Sequence, residues 1–296
     1  MKEIPNFLYE LLLKQYGSDL LNKILEGYSS TRKVTFRINR LKTTKEKIKQ
    51  ELDNLKIRYE EVLWYDDAFI INDLNESDIR KLDIYNNGEI YLQSLSSMLP
   101  VLVLNPKEKE SILDMASAPG GKTTQIASLA NDTALITATE KNKIRLERLK
   151  YNIKKQGVNK IAILNEDASK LDELFSFDKI LLDAPCSGSG TININNININ
   201  EKLIEESAKT QYQLLKKAIS ILKSGHEMIY STCSILKKEN EDNVNKILSE
   251  CKVELVPIEN EIFKSIPRLP SQIEGTICVC PTNLFEGFFI AKLRKK

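Results

Sequence analysis

Residues 111–130, SILDMASAPGGKTTQIASLA, predict a strand, a glycine-rich turn and a helix in immediate succession. The apolar run ends around Asp114, two adjacent glycines follow, and a segment with helical periodicity begins next to Lys122. A glycine-rich turn between a strand and a helix lets a ligand approach the backbone closely. This stretch therefore indicates a ligand-binding turn at the start of a parallel α/β domain.

Strand and helix patterns alternate through the rest of this region. Short apolar runs at 134–139, 160–165, 178–183 and 227–231 are separated by longer segments with helical periodicity. Continuous apolar strands separated by helices favour a mostly parallel sheet that is covered by helices on both faces. We therefore predict an α/β fold, with ligands bound at the carboxyl ends of the strands.

The first part of the chain has a different organisation. The alternating segment VTFRINRL predicts a half-buried strand, and the segment after it places Ile48, Leu52 and Leu55 at helical spacing. A helical segment precedes this strand, and AFIIN predicts another strand. We expect a small α+β domain over residues 1–95 and a second domain over residues 96–296.

Composition limits the class of protein. The chain has 296 residues, of which 42% are hydrophobic, so it can form a sizeable core. It has no apolar run long enough to span a membrane, and its N-terminus has no signal-peptide pattern. Its five cysteines lack the paired spacing of a zinc site. We expect a cytoplasmic protein, monomeric, with reduced thiols, no metal and no membrane contact.

Positive charge is concentrated in one segment, which we call the basic strip. Between Arg32 and Lys49 there are eight Lys or Arg residues and one acid, Glu46. Such a cluster is typical of a surface that meets phosphates. An ordinary solvated face explains it as well, and the sequence leaves both interpretations open.

The glycine-rich turn resembles a phosphate-binding P-loop but departs from it twice. Ala116 stands where that loop needs glycine, and Pro119 removes a backbone N–H from the middle of the loop. Glu140 follows the second strand, nineteen residues after Gly121, which is the position of an acid that binds ribose hydroxyls. Asp167 follows the third strand. These acids favour an adenosyl ligand such as S-adenosylmethionine, and a P-loop NTPase is the alternative.

Two cysteines follow the fourth and fifth strands. Cys186 lies in DAPCSGSG, three residues after Asp183, and Cys233 lies in YSTCS. The carboxyl ends of neighbouring parallel strands meet at one edge, so we expect both thiols near the ligand. A thiolate that adds to C6 of a cytosine activates C5 to accept a methyl group, and Asp183 would stabilise the developing charge. The residues alone do not say which thiol attacks.

The whole set of motifs resembles the NOL1/NOP2/Sun family of RNA cytosine-C5 methyltransferases. The resemblance rests on LDMASAPGGKTT, DAPCSGSG, YSTCS followed by KKENEDNV, and EGFFIAKLRK. The segments FRINRLK and GEIYLQSLSSMLPVLVLNP resemble the N-terminal part of that family. The resemblance covers nearly the whole chain, and the two cysteine motifs are its most specific part.

The resemblance implies a Rossmann-like methyltransferase domain that uses S-adenosyl-L-methionine and acts on rRNA or tRNA, and we expect the domain over residues 1–95 to bind that RNA. It also implies that Cys233 is the nucleophile, that Cys186 assists product release, and that Asp183 lies at the reaction centre. The residues that would bind the donor are Ala116, Ser117, Ala118, Pro119, Gly120, Gly121, Lys122, Glu140, Asp167 and Asp183. An RNA-binding assembly factor without turnover is a further alternative. We expect the Asn/Ile segment at 191–200, which lacks the family's usual charges, to be a mobile loop.

Overall fold

The computed structural model describes residues 4–192, 197–259 and 263–296. An antiparallel sheet of four strands, in the order β2-β3-β1-β4, forms the small N-terminal domain. Its strands are β1 (Val34–Ile38), β2 (Tyr59–Glu61), β3 (Ala68–Ile71) and β4 (Ile90–Leu92). The predicted strands VTFRINRL and AFIIN are the adjacent strands β1 and β3.

Five helices lie within residues 4–104: α1 (Asn6–Ser29), α2 (Lys45–Asn54), α3 (Glu76–Ile79), α4 (Asp83–Asn86) and α5 (Leu95–Leu104). The Thr44 side chain accepts a hydrogen bond from the Lys47 amide and so begins α2. Ile48 and Leu52 are buried as predicted, but Leu55 is 46% exposed. The expectation that Leu55 continues the apolar face of this helix is wrong, because α2 ends at Asn54.

The first helix packs on the large sheet rather than on the small one. Leu8, Leu12 and Ile24 are fully buried, in the same hydrophobic cluster as Leu182 and Tyr230 of the large sheet. At Gly17 the backbone has φ of +76°, which kinks α1 and lets both halves follow the surface beneath them. The proposed division at residue 95 therefore describes the small sheet, and α1 extends back onto the second domain.

The large sheet has nine strands, and its centre is parallel. The central strands are β5 (Ser111–Asp114), β6 (Leu135–Thr139), β7 (Ile161–Leu164), β8 (Phe177–Asp183) and β9 (Leu222–Thr232). They stand in the order β7-β6-β5-β8-β9 with all four pairings parallel. Each coincides with a predicted strand, although β9 begins five residues before the predicted run at 227.

Antiparallel strands extend this sheet beyond β9. They are β10 (Val253–Leu255), β11 (Arg268–Leu269), β12 (Ile277–Val279) and β13 (Phe288–Lys295). β13 pairs with β9, β12 and β10, so the EGFFIAKLRK segment forms the seam between the parallel and antiparallel parts.

Helices cover both faces of the large sheet, as predicted. They are α6 (Gly121–Leu129), α7 (Lys143–Gln156), α8 (Glu201–Ile221) and α9 (Glu241–Glu250). Neighbouring residues of β8 enter opposite cores, because Leu182 belongs to the cluster containing α1 and α8, whereas Leu181 belongs to the cluster containing α5 and α6. A sheet that is buried on both faces explains the continuous apolar strands.

The order in which the chain adds strands to the sheet reverses between β5 and β8, although these two strands are parallel. The chain passes from β5 to β6 and β7 on one side, and β8 lies on the other side of β5. Ligands of open α/β sheets bind in the crevice outside the carboxyl ends of the strands at such a reversal. Asp114 and Asp183, the last residues of β5 and β8, stand at this point.

Candidate active site

Two cavities, each of about 550 Å³, meet at the carboxyl ends of β5 and β8. Both are lined by Ala116, Ala118 and Asp183. One, which we call the donor cavity, also contains the predicted acids that follow β6 and β7 and both predicted thiols. The other, which we call the interdomain cavity, lies between the small domain and the turn that follows β5.

Hydrogen bonds from Ser117 and Thr123 to Asp114 stabilise the turn after β5. The Ser117 hydroxyl donates to the Asp114 carbonyl over 2.8 Å, and the Thr123 hydroxyl donates to the Asp114 carboxylate over 2.7 Å. Gly120 has φ of +109° and precedes α6, a conformation that L side chains rarely adopt. Glycine at position 120, the first of the two adjacent glycines, therefore allows the backbone conformation that the turn requires.

Asp114 is buried beneath this turn. Burial raises the pKa of its carboxyl to about 6, although the hydrogen bond from Thr123 acts in the opposite direction. Its Oδ1 atom has no hydrogen-bond partner among the residues that the structure describes. A buried oxygen without a partner next to a cavity is suited to a ligand with hydrogen-bond donors.

The two acids predicted to bind an adenosyl group lie side by side in the donor cavity. Glu140 accepts a hydrogen bond from the Asn142 amide over 2.8 Å, and its other oxygen lies 3.5 Å from the Arg145 guanidinium. Asp167 accepts from the backbone and the hydroxyl of Ser169. Burial acts to raise the pKa of Asp167, but these hydrogen bonds and a neighbouring lysine outweigh it and lower the pKa.

Lys122 and Asp183 form a half-buried ion pair where the two cavities meet. The Lys122 ammonium lies 2.8 Å from Asp183 Oδ2 and donates to the Ser97 hydroxyl over 2.8 Å. The Ser231 hydroxyl donates to Asp183 Oδ1 over 2.8 Å. Burial alone would lower the pKa of Lys122, but the charge of Asp183 outweighs burial and raises it, so the lysine stays charged. A lysine engaged with a carboxylate in this way is not directed at the phosphates of a P-loop nucleotide.

The two predicted thiols are in direct contact. The Sγ atoms of Cys186 and Cys233 lie 2.9 Å apart, and both residues are half-buried and line the donor cavity. The hydrogen bond to Cys233, together with burial, raises the pKa of Cys186 well above its usual value. Cys186 therefore remains a thiol that can donate a hydrogen bond to the sulfur of Cys233.

A buried carboxylate that the sequence did not reveal holds both thiol-bearing loops. Glu239 accepts from the amide and the hydroxyl of Ser187, over 2.7 and 2.6 Å, and from the Ser234 hydroxyl over 2.5 Å. It is fully buried in the segment between β9 and α9. Since Ser187 follows Cys186 and Ser234 follows Cys233, Glu239 fixes the two loops relative to each other. Its only signal in the sequence is its place in KKENEDNV, which begins three residues after the end of the TCS motif.

Arg37 of β1 is a second residue that the sequence did not reveal. Its guanidinium is fully buried and donates to the Gly121 carbonyl over 2.9 Å, the Thr124 hydroxyl over 2.7 Å and the Gln93 side chain over 2.9 Å. It therefore ties the small sheet to the first turn of α6. The alternating pattern of β1 predicted a polar residue here but not the surface that covers it.

Much of the basic strip is engaged with acids of the small domain. Lys33 lies 3.2 Å from Glu60, and Arg40 lies 2.7 Å from Asp67. Lys45 and Lys49 share one acid, Glu61, over 2.6 and 2.5 Å. These contacts favour the solvated face over the phosphate-binding surface for those four residues.

Comparison with known proteins assigns the chain to a family. Residues 101–294 match the family model described as 16S rRNA methyltransferase RsmB/F, which covers the large sheet and both thiol loops. The chain belongs to this family. Residues 4–76 match the ferredoxin-like domain that accompanies it, so the small α+β domain predicted from the sequence is also a family feature.

Named relatives modify rRNA or tRNA. The chain is 35% identical to the 28S rRNA (cytosine-C(5))-methyltransferase of Mus musculus, over 98% of this chain and 38% of the relative. It is 34% identical to ribosomal RNA small subunit methyltransferase F of Shewanella amazonensis, over 89% of this chain and 58% of the relative. It is 39% identical to the tRNA (cytosine(72)-C(5))-methyltransferase of Pyrococcus horikoshii, over 73% of this chain and 55% of the relative. The chain thus spans 38 to 58% of these relatives.

Solved structures show the same architecture. The crystal structure of NSun6 from Pyrococcus horikoshii with SFG matches over 98% of both chains, with a TM-score of 0.89 and 26% identity. A methyltransferase homologue from the same organism matches over 99% of this chain, with a TM-score of 0.84 and 30% identity. The predicted Rossmann-like methyltransferase fold with a small N-terminal domain is confirmed. Among the described residues, no helix is long and apolar enough to cross a membrane.

Proposed function

We propose that this protein transfers a methyl group from S-adenosylmethionine to C5 of a cytosine in RNA, by way of a covalent bond between cysteine and C6. The observation that carries the proposal is the contact between Cys186 and Cys233 in the cavity that also contains Asp183 and the two predicted adenosyl-binding acids. The family and its named relatives support the reaction, and their substrates support RNA as the acceptor.

The donor cavity suits S-adenosylmethionine in its chemistry. Glu140 and Asp167 present carboxylates to hydroxyl and amino groups, as a ribose and an adenine require, whereas a phosphate would be repelled by them. Ala116 and Ala118 line the same cavity, where the methionine part would meet the turn. A donor bound there would supply a methyl group on a positively charged sulfur, and the volume of about 550 Å³ is adequate for a ligand of this size.

Cys233 is the thiol that we assign as the nucleophile. The two sulfur atoms are in hydrogen-bond contact, and this contact together with burial raises the pKa of Cys186, which disfavours attack by Cys186 as a thiolate. Addition of that thiolate to C6 of cytosine breaks the C5–C6 double bond and makes C5 nucleophilic. C5 can then accept the methyl group. The lysine of the Lys122–Asp183 pair adds a positive charge close to the thiols, and Lys122 interacts electrostatically with Cys233.

Asp183 and Cys186 have separate roles in the later steps. Asp183 lies where the two cavities meet and can accept hydrogen bonds from the cytosine amino group and from a protonated N3, which stabilises the charge that develops on the ring. After methylation, the C5 proton passes to solvent water, the C6–S bond breaks with its electron pair leaving on the Cys233 sulfur, and the C5–C6 double bond re-forms. We assign Cys186 to this release step because its sulfur is in contact with the leaving thiolate.

The experiment is a methyl-transfer assay with product identification. The protein is incubated with S-adenosylmethionine that carries a labelled methyl group and with total RNA, and the RNA is digested to nucleosides. We expect label in 5-methylcytidine with the wild-type protein and none with Cys233→Ala. Label on another nucleoside, or equal labelling by Cys233→Ala, would contradict the proposal. Hydrolysis of ATP without any methyl transfer would favour the P-loop alternative.

A further inference from the structure

The solvent face of α7 carries a row of residues that the proposed chemistry does not use. Ile144, Arg148, Tyr151 and Lys155 follow one another at intervals of four, three and four residues, so they share one face of the helix. We call these four residues the α7 stripe. Ile144 is 72% exposed and Tyr151 is 63% exposed. Exposed apolar and aromatic side chains that alternate with bases are typical of a surface that binds single-stranded nucleic acid.

The helix that carries the stripe is strongly basic. α7 contains six Lys or Arg residues and one acid, Glu147. Among the described residues its ion pairs are Lys150–Glu147 and Arg145–Glu140, so Arg148 has no acidic partner there. This distinguishes α7 from the part of the basic strip formed by Lys33, Arg40, Lys45 and Lys49, whose side chains are engaged with acids of their own domain. The positive charge of α7 is therefore available to a polyanion.

Positive charges are crowded at the Lys155 end of the stripe. The Lys155 ammonium lies 3.6 Å from the centre of the Tyr85 ring, and the Arg80 guanidinium lies 5.4 Å from the same ring. Burial and the charges of Arg80 and Lys42 lower the pKa of Lys155. Glu76 pairs with Arg80 over 2.9 Å, but both side chains are at least half exposed, and screening by water weakens that pair. A phosphate at this end would relieve the repulsion among the three bases.

The helix that carries the stripe also contacts the turn that lines the interdomain cavity. On the adjacent face of α7, Arg145 donates to the Ala118 carbonyl over 2.7 Å and Asn152 donates to the Pro119 carbonyl over 2.8 Å. Ala118, Pro119 and Arg80 line the interdomain cavity, which reaches Lys122 and Asp183. One face of α7 therefore contacts the turn after β5. The adjacent face carries the stripe next to the interdomain cavity.

We propose that the α7 stripe binds the single-stranded RNA that flanks the modified cytosine. Arg148 and Lys155 contact phosphates, and Tyr151 stacks on an unpaired base. The inference rests on the proposed function, because that function places an RNA nucleotide at the reaction centre. An enzyme that reacts with C5 and C6 must take the base out of its stack, and neighbouring nucleotides are then unpaired and open to stacking on an aromatic side chain.

The test compares two double variants that change charge and aromatic content equally. Arg148→Glu with Tyr151→Ala alters the stripe. Lys246→Glu with Tyr212→Ala alters another lysine–tyrosine contact, on α9 and α8, where the Lys246 ammonium lies 3.8 Å from the Tyr212 ring. Binding of a fluorescein-labelled single-stranded RNA of mixed sequence is followed by anisotropy over a series of salt concentrations. S-adenosylhomocysteine binding and thermal melting check that each variant is folded.

We expect the stripe variant to bind RNA at least about tenfold more weakly than wild type, since stacking on one base alone has an effect of this size. We also expect the slope of log K against log salt to fall by about 0.7 for each phosphate that the protein no longer neutralises. The control variant should bind like wild type, and Arg148→Lys with Tyr151→Phe should retain most of the affinity. If the double variant melts early, Arg148→Gln provides the same comparison.

Equal RNA affinity in the stripe variant and the control would overturn the inference, as would a failure of the wild type to bind this RNA at low salt. The proposed function fails by a different result. A wild-type protein that binds RNA through the stripe but forms no 5-methylcytidine would refute the methyl transfer and leave the stripe supported. Normal methyl transfer with equal affinities would refute the stripe alone.

Discussion

The two ends of the donor cavity are built in different ways. At the adenosyl end, the hydrogen bonds to Glu140 and Asp167 come from residues two positions further along the chain. Two exposed bases add charge, Arg145 near Glu140 and Lys141 near Asp167. At the thiol end, Cys186 and Cys233 lie on loops 47 residues apart. The buried carboxylate of Glu239 bonds to both loops, and the loops also bond to each other directly. The adenosyl end is therefore local, whereas the thiol end depends on tertiary structure. A ligand can be bound by the first while the chemistry requires the second, so substitutions should separate binding from turnover.

Cys233→Ala should produce the largest separation. We expect the rate of methyl transfer to fall at least about 10⁴-fold, because alanine has no thiol to form the bond to C6 and the proposed mechanism assigns Cys186 to release rather than to attack. The affinity for S-adenosylhomocysteine should remain within about twofold of wild type, since the adenosyl end is unchanged. Calorimetry and a single-turnover assay measure the two quantities. A Cys233→Ala protein that keeps wild-type turnover would remove this thiol from the mechanism.

Glu239→Gln should affect turnover and stability together. The glutamine oxygen can still accept from the Ser187 amide, but its NH2 group cannot accept from the Ser187 and Ser234 hydroxyls, so the two charge-assisted hydrogen bonds from those hydroxyls are lost. We expect the free energy of unfolding to fall by about 2 kcal/mol and kcat to fall about 10²-fold as the thiols lose their alignment. Glu205→Gln is the matched control, because Glu205 is an exposed acid paired with Lys238. Denaturant unfolding and the initial rate of methyl transfer distinguish them.

Glu140→Gln should weaken donor binding but not the chemistry. We expect the dissociation constant for the donor to rise about tenfold, the effect of losing a hydrogen bond to a charged group. At a saturating donor concentration, kcat should stay near the wild-type value. Glu147→Gln on α7 is the control, because that exposed acid pairs with Lys150 outside the cavity. A large fall in kcat with an unchanged dissociation constant would show that the two ends are not separable.

Lys33→Ala with Arg40→Ala should have the smallest effect. Both bases are paired with acids, at 3.2 and 2.7 Å, so removing them changes the potential of the surface little. We expect RNA affinity to change by less than about threefold. The slope of log K against log salt should change by no more than about 0.7. The same anisotropy titration used for the α7 stripe measures it. If this double variant loses more RNA affinity than the α7 stripe variant, the basic strip binds phosphates and the interpretation as a solvated face is wrong.

The sequence predicted most of what is local in this molecule. The alternation of apolar runs and helices predicted the parallel strands, and the positions of Glu140, Asp167, Cys186 and Cys233 after those strands placed them at one edge. The strands meet there because parallel pairing aligns their carboxyl ends. Arg37 was missed because a period of two tells which residues share a face of a strand, but not what packs against that face.

Two further features depended on contacts between distant parts of the chain. Glu239 lies in a charged segment that predicts a solvated helix start, and the structure buries it between two loops. α1 has an apolar face that could cover either sheet, and it packs on the large one. The segment at 191–200 was expected to be a mobile loop; residues 193–196 of it lie outside the described residues, while Ile192 and Ile199 on either side are buried.

The covalent bond between Cys233 and the RNA is the central claim, and Cys186→Ala tests it most directly. This protein is incubated with S-adenosylmethionine and RNA and examined on a denaturing gel. Because release of the C6–S bond is assigned to Cys186, a protein–RNA adduct should accumulate, and it should be absent from Cys186→Ala with Cys233→Ala. Absence of the adduct under conditions in which wild type forms 5-methylcytidine, or its persistence in the double variant, would contradict the mechanism.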